Sequence, residues 1–121
     1  MKGMLIIAHG SKRGETEKVV ESIVIKVKKM TMCKAVEAAY LEFSKPDIIN
    51  AAEHMIHMGI TEIYAVPLFV FDGVHVTKAI PVILESLQKK FPNVTIKYGK
   101  HLGDDDRIAQ ILCDNANEIG F

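Results

Sequence analysis

Two hydrophobic periods alternate along the chain. Gly3–Ala8 (GMLIIA) is continuously apolar and stops at His9-Gly10-Ser11, the pattern of a strand covered on both faces. From Glu15 to Met30 the period lengthens, and Val20, Ile23, Val24 and Val27 follow the i, i+3, i+4, i+7 spacing of an amphipathic helix. Ala35–Leu41 predicts a second strand. Pro46-Asp47 opens a second helix, the ring suiting its first turn and the carboxylate the positive end of its dipole. Its stripe is Ile48, Ile49, Ala52, Met55 and Ile56, and Gly59 suits the residue just past its end. Glu62–Leu68 (EIYAVPL) predicts a third strand, with Pro67 near the end, where a missing ladder donor is tolerated. After the Asp72-Gly73 turn, Lys78–Phe91 predicts a third helix with Ile80, Ile83, Leu84, Leu87 and Phe91 inward. Val94–Tyr98 and Asp104–Asn117 complete the series as a fourth strand and helix. Ile108, Ile111 and Leu112 are the expected core face of that last helix.

This alternation predicts the α/β class: one three-layer domain over residues 1–121, with a four-stranded parallel sheet flanked by helices in the flavodoxin-like manner. Composition agrees, since 49% apolar and 25% charged residues are globular values that exclude disorder and coiled coil. Fifteen basic residues balance fifteen acidic ones, so no global field recruits nucleic acid or a membrane surface. Apolar runs such as Met4–Ala8 and Ala65–Phe71 fall far short of the ~20 residues of a membrane helix. The opening MKGMLIIAHGSKR has too short an apolar stretch for a secretory signal. Cys33 and Cys113 lie far apart and form no Cys-x-x-Cys pair, so the expected setting is a reducing cytoplasm.

In open parallel sheets, ligands bind beyond the carboxyl ends of the strands. That rule selects His9–Arg13, Glu42–Ser44, Phe69–Thr77 and Gly99–Asp106. His9 ends one strand, Glu42 ends the next, and His75 lies in the loop after the third. Two imidazoles and a carboxylate at one edge have the donor chemistry of a divalent transition-metal site. Other candidates read more plainly. His54 and His57 fall on the solvated flank of the second helix, His101 is a polar loop residue, and Ser44 helps to start the helix at Pro46. The two cysteines read as small hydrophobes. His9–Gly14 matches neither the dinucleotide fingerprint nor the Walker phosphate loop, and no Gly-x-Ser-x-Gly elbow is present.

Four segments in order carry a resemblance. They are His9-Gly10-Ser11, Glu42-Phe43-Ser44-Lys45-Pro46, Val66-Pro67-Leu68-Phe69 with Gly73-Val74-His75-Val76 and Ile80-Pro81, and Leu102-Gly103-Asp104-Asp105-Asp106-Arg107. Together the chain resembles, from end to end, the short class II tetrapyrrole chelatases, including sirohydrochlorin cobaltochelatase of the small CbiX type. The resemblance implies a chelatase-like fold and insertion of a divalent metal, Co, Ni or Fe, into a sirohydrochlorin-like tetrapyrrole, with no organic cofactor. It implies that His9 and His75 are the catalytic and metal-handling residues and that Glu42 joins them as a metal ligand. The expected substrate-binding set is Ser11, Lys12, Arg13, Phe69, Phe71, Gly73 and Lys78, with aromatic walls and basic groups for the carboxylates. One departure stands at Ala79, where the family usually carries an acidic residue before Ile-Pro. An Asp there would cap the helix, and Thr77 is the expected substitute. Longer relatives carry two such units in tandem, which implies a homodimer for the short form.

Two rival readings use the same cleft. A histidine phosphocarrier of the mannose-transporter type also has His-Gly after its first strand, but leaves His75 and Glu42 without a role. A non-catalytic metal or tetrapyrrole carrier would need the same donors and no proton transfer.

Overall fold

The computed structural model describes residues 1–121. Its elements are β1 (Lys2–Ala8), α1 (Glu15–Thr31), β2 (Val36–Tyr40), α2 (Ile48–His57), β3 (Glu62–Pro67), α3 (Ile80–Lys90), β4 (Thr95–Tyr98) and α4 (Asp106–Glu118). The strands are all parallel, in the order β2-β1-β3-β4. The chain leaves β1 to one side for β2 and returns to the other side for β3. That reversal puts the topological switch point between β1 and β3, the place where open α/β sheets bind ligands. Register aligns the strand ends, Ala8 beside Tyr40 and Ile7 beside Pro67. The residues that follow therefore emerge along one edge.

Two apolar layers hold the sheet. On one face Leu5, Ile7, Ala39, Ile63 and Ala65 pack under α2 and α3. On the other, Ile6, Ala8, Val36, Ala38 and Tyr40 pack under Val20 and Val24 of α1. Each fully buried aliphatic side chain contributes about 1.5–3 kcal/mol, so these layers dominate stability. No helix is long and apolar enough to cross a membrane.

Five sequence expectations need correction. Ile49 is exposed, because Ala51 and Ala52 take the inward face with Ile48 and Met55 and let α2 approach the sheet closely. Pro46 stands outside α2, whose cap is Asp47, its carboxylate accepting the Asn50 N–H at 2.8 Å. The helix expected from Lys78 begins earlier, as a turn of π-helix over His75–Ala79 that runs into α3 without a break. Pro81 supplies the reason, since it offers no N–H to the preceding turn and its ring crowds the carbonyl there. Ala79 (φ −63°, ψ −50°) thus lies inside the helix and is not a cap. Thr77 likewise turns its hydroxyl back onto the Gly73 carbonyl at 3.0 Å. Finally, no residue of α4 is buried, so Ile108, Ile111 and Leu112 form no core face within this chain.

Candidate functional site

The site begins where β1 stops. Gly10 adopts φ +102°, and a Cβ there would stand 1.9 Å from the Glu42 carbonyl oxygen. Only glycine lets the loops after β1 and β2 close on each other this tightly. Leu41 N–H donates to the Ala8 carbonyl at 3.0 Å and Glu42 N–H to the His9 carbonyl at 2.8 Å, extending the ladder past the strands. Buried Ser44 locks the arrangement. Its hydroxyl accepts from Ser11 N–H at 3.1 Å and donates to the Ser11 carbonyl at 3.2 Å. Phe43 pays a conformational cost at φ +65°, a region bulky residues avoid, and its ring lies 6.0 Å from His9.

His9 meets both other donors. Its Nε2 lies 3.2 Å from Glu42 Oε2, and its ring centroid lies 5.1 Å from that of His75, edge to face. Both ring nitrogens of His9 face an acceptor, since Nδ1 is 3.3 Å from the Gly10 carbonyl oxygen. A dication between Nε2 and the carboxylate would take the place of a proton there. Two donors about 2.1 Å from one ion, at tetrahedral to octahedral angles, stand about 3.0–3.4 Å apart, and two imidazoles so bound have centroids about 4.5–5.2 Å apart. Both observed separations suit one shared ion. The donors do not, however, converge into a ready-made cage of three. His9 and Glu42 retain 40% and 49% of their side-chain exposure, so the pair stands open.

His75 is held from behind. Its π-turn is tied by the Tyr98 hydroxyl, which donates to the Val76 carbonyl at 2.9 Å from the end of β4. Burial, followed by the nearby Asp72 carboxylate, pushes the Tyr98 phenol above its usual range, keeping it protonated as a donor. Phe69 packs beside His75 at 6.4 Å between ring centroids.

A trough of about 590 Å³ runs from His9 between α1 and the loop after β3, walled by Val19, Leu68, Phe69, Val70 and Phe71. This is within the volume range of small-molecule sites. Lys12 projects over the Phe43 ring at 5.1 Å, and Arg13, Gly73 and Lys78 are exposed around the same edge. Ser11 is engaged internally, its hydroxyl accepting the Thr16 N–H of α1 at 3.3 Å. His54 lies elsewhere, 3.8 Å from Glu37. His101 stands 4.0 Å from Asp72. Sequence reasoning missed the locking role of Ser44 and the backing role of Tyr98. Serine at a loop start and tyrosine at a strand end are common, so neither carried a signal of its own.

The family model described as CbiX matches residues 3–119. A sirohydrochlorin cobaltochelatase of Methanosarcina acetivorans is 36% identical over 124 residues, covering 96% of this chain and 95% of that protein. A sirohydrochlorin ferrochelatase of Priestia megaterium is 30% identical over 118 residues, but this chain spans only 44% of its length. The solved structure of SirB from Bacillus subtilis with Fe3+ superposes with a TM-score of 0.90 at 25% identity, over 99% of this chain and 48% of that one. No phosphocarrier appears among these relatives.

Proposed function

The chain belongs to the CbiX family, and from that premise we propose that it inserts a divalent metal into sirohydrochlorin. The observation that carries the reading is the placement of two imidazoles 5.1 Å apart, with Glu42 on one of them, at the β1/β3 switch point. Cobalt and iron are the metals in the names of the relatives, and nickel has the same borderline donor preference. The metal is a substrate. Insertion puts one dication onto the tetrapyrrole nitrogens and releases two pyrrole N–H protons, so no electrons move and no organic cofactor takes part.

His9 and His75 hold the incoming ion weakly and accept the departing protons, since neutral imidazole does both near pH 7. Glu42 adds an anionic donor that steadies the ion on His9. The trough walled by Phe69 and Phe71 takes the flat macrocycle, while Lys12, Arg13 and Lys78 meet its carboxylates. Ser11 and Gly73 shape the rim through their backbone. The working unit is a homodimer in the cytoplasm, because a macrocycle about as wide as the domain's own radius is floored but not enclosed by one such edge.

Purified protein mixed with sirohydrochlorin and Co, Ni or Fe salts should show the absorption change of metal insertion faster than the spontaneous reaction. His75→Ala should lose most of that enhancement while keeping the fold. Full chelatase activity without His75 would overturn the role assignment. Phosphoryl transfer to His9 that survives in the variant would favour the phosphocarrier.

A further inference from the structure

Phe43 holds a backbone conformation that large side chains avoid, and its side chain does nothing for the core. Ser44 N–H donates to the Glu42 carbonyl at 2.7 Å, which makes Phe43 the middle residue of a three-residue turn. With φ +65° this is the rare, strained hand of that turn, one that glycine would take freely. The ring is 56% exposed, and neither apolar layer of the core includes it. Ties fix both shoulders of the turn, Glu42 to His9 and Ser44 to Ser11, but none of them requires a phenyl group between them. Backbone strain that carries an exposed apolar ring is the kind that clusters at ligand clamps.

The position of the ring points to its use. Four rings follow one another along the sheet edge in the strand order β2-β1-β3, namely Phe43, His9, His75 and Phe69. Successive centroids stand 6.0, 5.1 and 6.4 Å apart. The two imidazole donors thus occupy the middle of the row and the two phenyl groups its ends. The trough serves only one end. It runs from His9 along Phe69 and Phe71, and Phe43 is not part of its lining.

A tetrapyrrole takes its metal at its centre. Seated wholly within the trough, it would bring only its rim to the imidazoles. With its central nitrogens over His9 and His75, it overhangs the trough on the β2 side, and the side chain that it meets there is Phe43. Its flat conjugated face has the chemistry to stack on a phenyl group. Lys12 Nζ stands 5.1 Å from the Phe43 centroid, so a peripheral carboxylate at this end finds an ammonium beside the ring.

Resting on the chelatase reading above, we propose that Phe43 is a substrate-contact residue, the second platform of the macrocycle, paired with Phe69 across the metal donors. A phenyl group at each end of the row centres the macrocycle's nitrogens over His9 and His75. The strained turn is the means, because it presents the ring between two fixed shoulders and away from both core layers.

The test separates contact from chemistry. Titrating metal-free sirohydrochlorin into the full-length protein, read by the tetrapyrrole's fluorescence, gives a dissociation constant with no insertion step. Phe43→Gly removes the ring and relieves the turn, so its thermal midpoint should stand at or above that of wild type. Its dissociation constant should rise about tenfold, the loss of one stacked aromatic contact with its buried area. Phe43→Leu keeps the strain and much of the bulk without a flat face and should recover little of that loss, whereas Phe43→Trp should recover most of it. Cobalt(II) binding without the macrocycle, read by the metal's absorption bands, should be the same in all four proteins. A wild type that binds no sirohydrochlorin would overturn the chelatase reading, and the platform with it. Wild-type affinity in Phe43→Gly would overturn the platform alone. So would a parallel loss of cobalt(II) binding in that variant, because the ring would then act by orienting His9. A lowered midpoint in Phe43→Gly would assign the ring to the fold and overturn the proposal from that side.

Discussion

Replacing Gly10 with Ala tests whether the loops after β1 and β2 touch as described. The substitution adds one methyl group, and its collision is with the Glu42 backbone carbonyl at 1.9 Å, not with a side chain that could swing aside. The φ of +102° adds a second penalty. Positive φ costs an L-residue about 1–2 kcal/mol, and overpacking that shifts backbone typically costs about 1–3 kcal/mol. The sum, about 2–5 kcal/mol, is a large part of the 5–15 kcal/mol that stabilises a typical domain. At roughly 3–6 °C per kcal/mol for a chain of this size, the midpoint should fall by on the order of 10–20 °C. Two other glycines separate the contributions. Gly59 shares the positive φ, at +96°, but a Cβ there meets nothing within 4 Å, so Gly59→Ala should cost only the conformational part. Gly73 has neither problem, and Gly73→Ala should stay within about 0.5 kcal/mol of wild type. Relieving the Gly10 collision also moves Glu42 away from His9, so chelatase activity should fall even well below the melting temperature. Calorimetry of the three variants beside an insertion assay reads all of this. A Gly10→Ala midpoint no lower than that of Gly59→Ala would refute the loop contact and the donor geometry built on it.

Two further outcomes follow from the bonds around the site. Tyr98→Phe deletes only the hydroxyl that ties the π-turn, so the fold should lose about 0.5–1.5 kcal/mol, while insertion rate falls severalfold through the looser placement of His75. An unchanged rate in that variant would show that the tie does not position the imidazole. Asp105 caps α4, its carboxylate held well below the usual range first by the side-chain hydrogen bonds of Arg107 and then by the Arg107 N–H. A depressed carboxyl contributes its full stability above its unfolded value and loses it progressively as pH falls from there towards the depressed value, so the contribution of the cap should shrink below about pH 4 without vanishing there. Circular dichroism of wild type and Asp105→Asn down to pH 3 checks this, and loss of the difference between them already near pH 4 would count against it.

The sequence was most legible where burial dictates pattern. β1 is covered on both faces near the centre of the sheet and reads as an unbroken apolar run, so its end, and with it His9, could be located. The sheet order supplied the one fact that periodicity lacks, the reversal that brings the ends of β1 and β3 together. α4 misled for a physical reason. Amphipathicity reports that a helix has an apolar partner but does not say which molecule supplies it. Ile49 misled because two adjacent alanines outrank a larger residue when close approach is what packs the helix. The π-turn was invisible because its spacing comes from a proline six residues after His75, acting on a carbonyl and not on any side-chain pattern. Phe43 gave no warning of its positive φ, which the ties on both sides of it impose.

The donors are also remote from one another along the chain, and this bears on when the site exists at all. Ser11 and Ser44, whose bonds join the first two donor loops, are 33 residues apart, and Glu42 and His75 are separated by as much again. Each interval is one crossover of a parallel sheet, which cannot close by a local hairpin. Non-local pairing of this kind is slow, because loop-closure entropy must be met before the contacts that reward it can form. During synthesis, His75 emerges only after β1, β2 and β3 have all been made, and no shorter nascent chain holds the pair of imidazoles. Metal and macrocycle therefore meet either a finished sheet edge or, at most, the His9–Glu42 pair, and a half-made chain has no second imidazole with which to hold the ion.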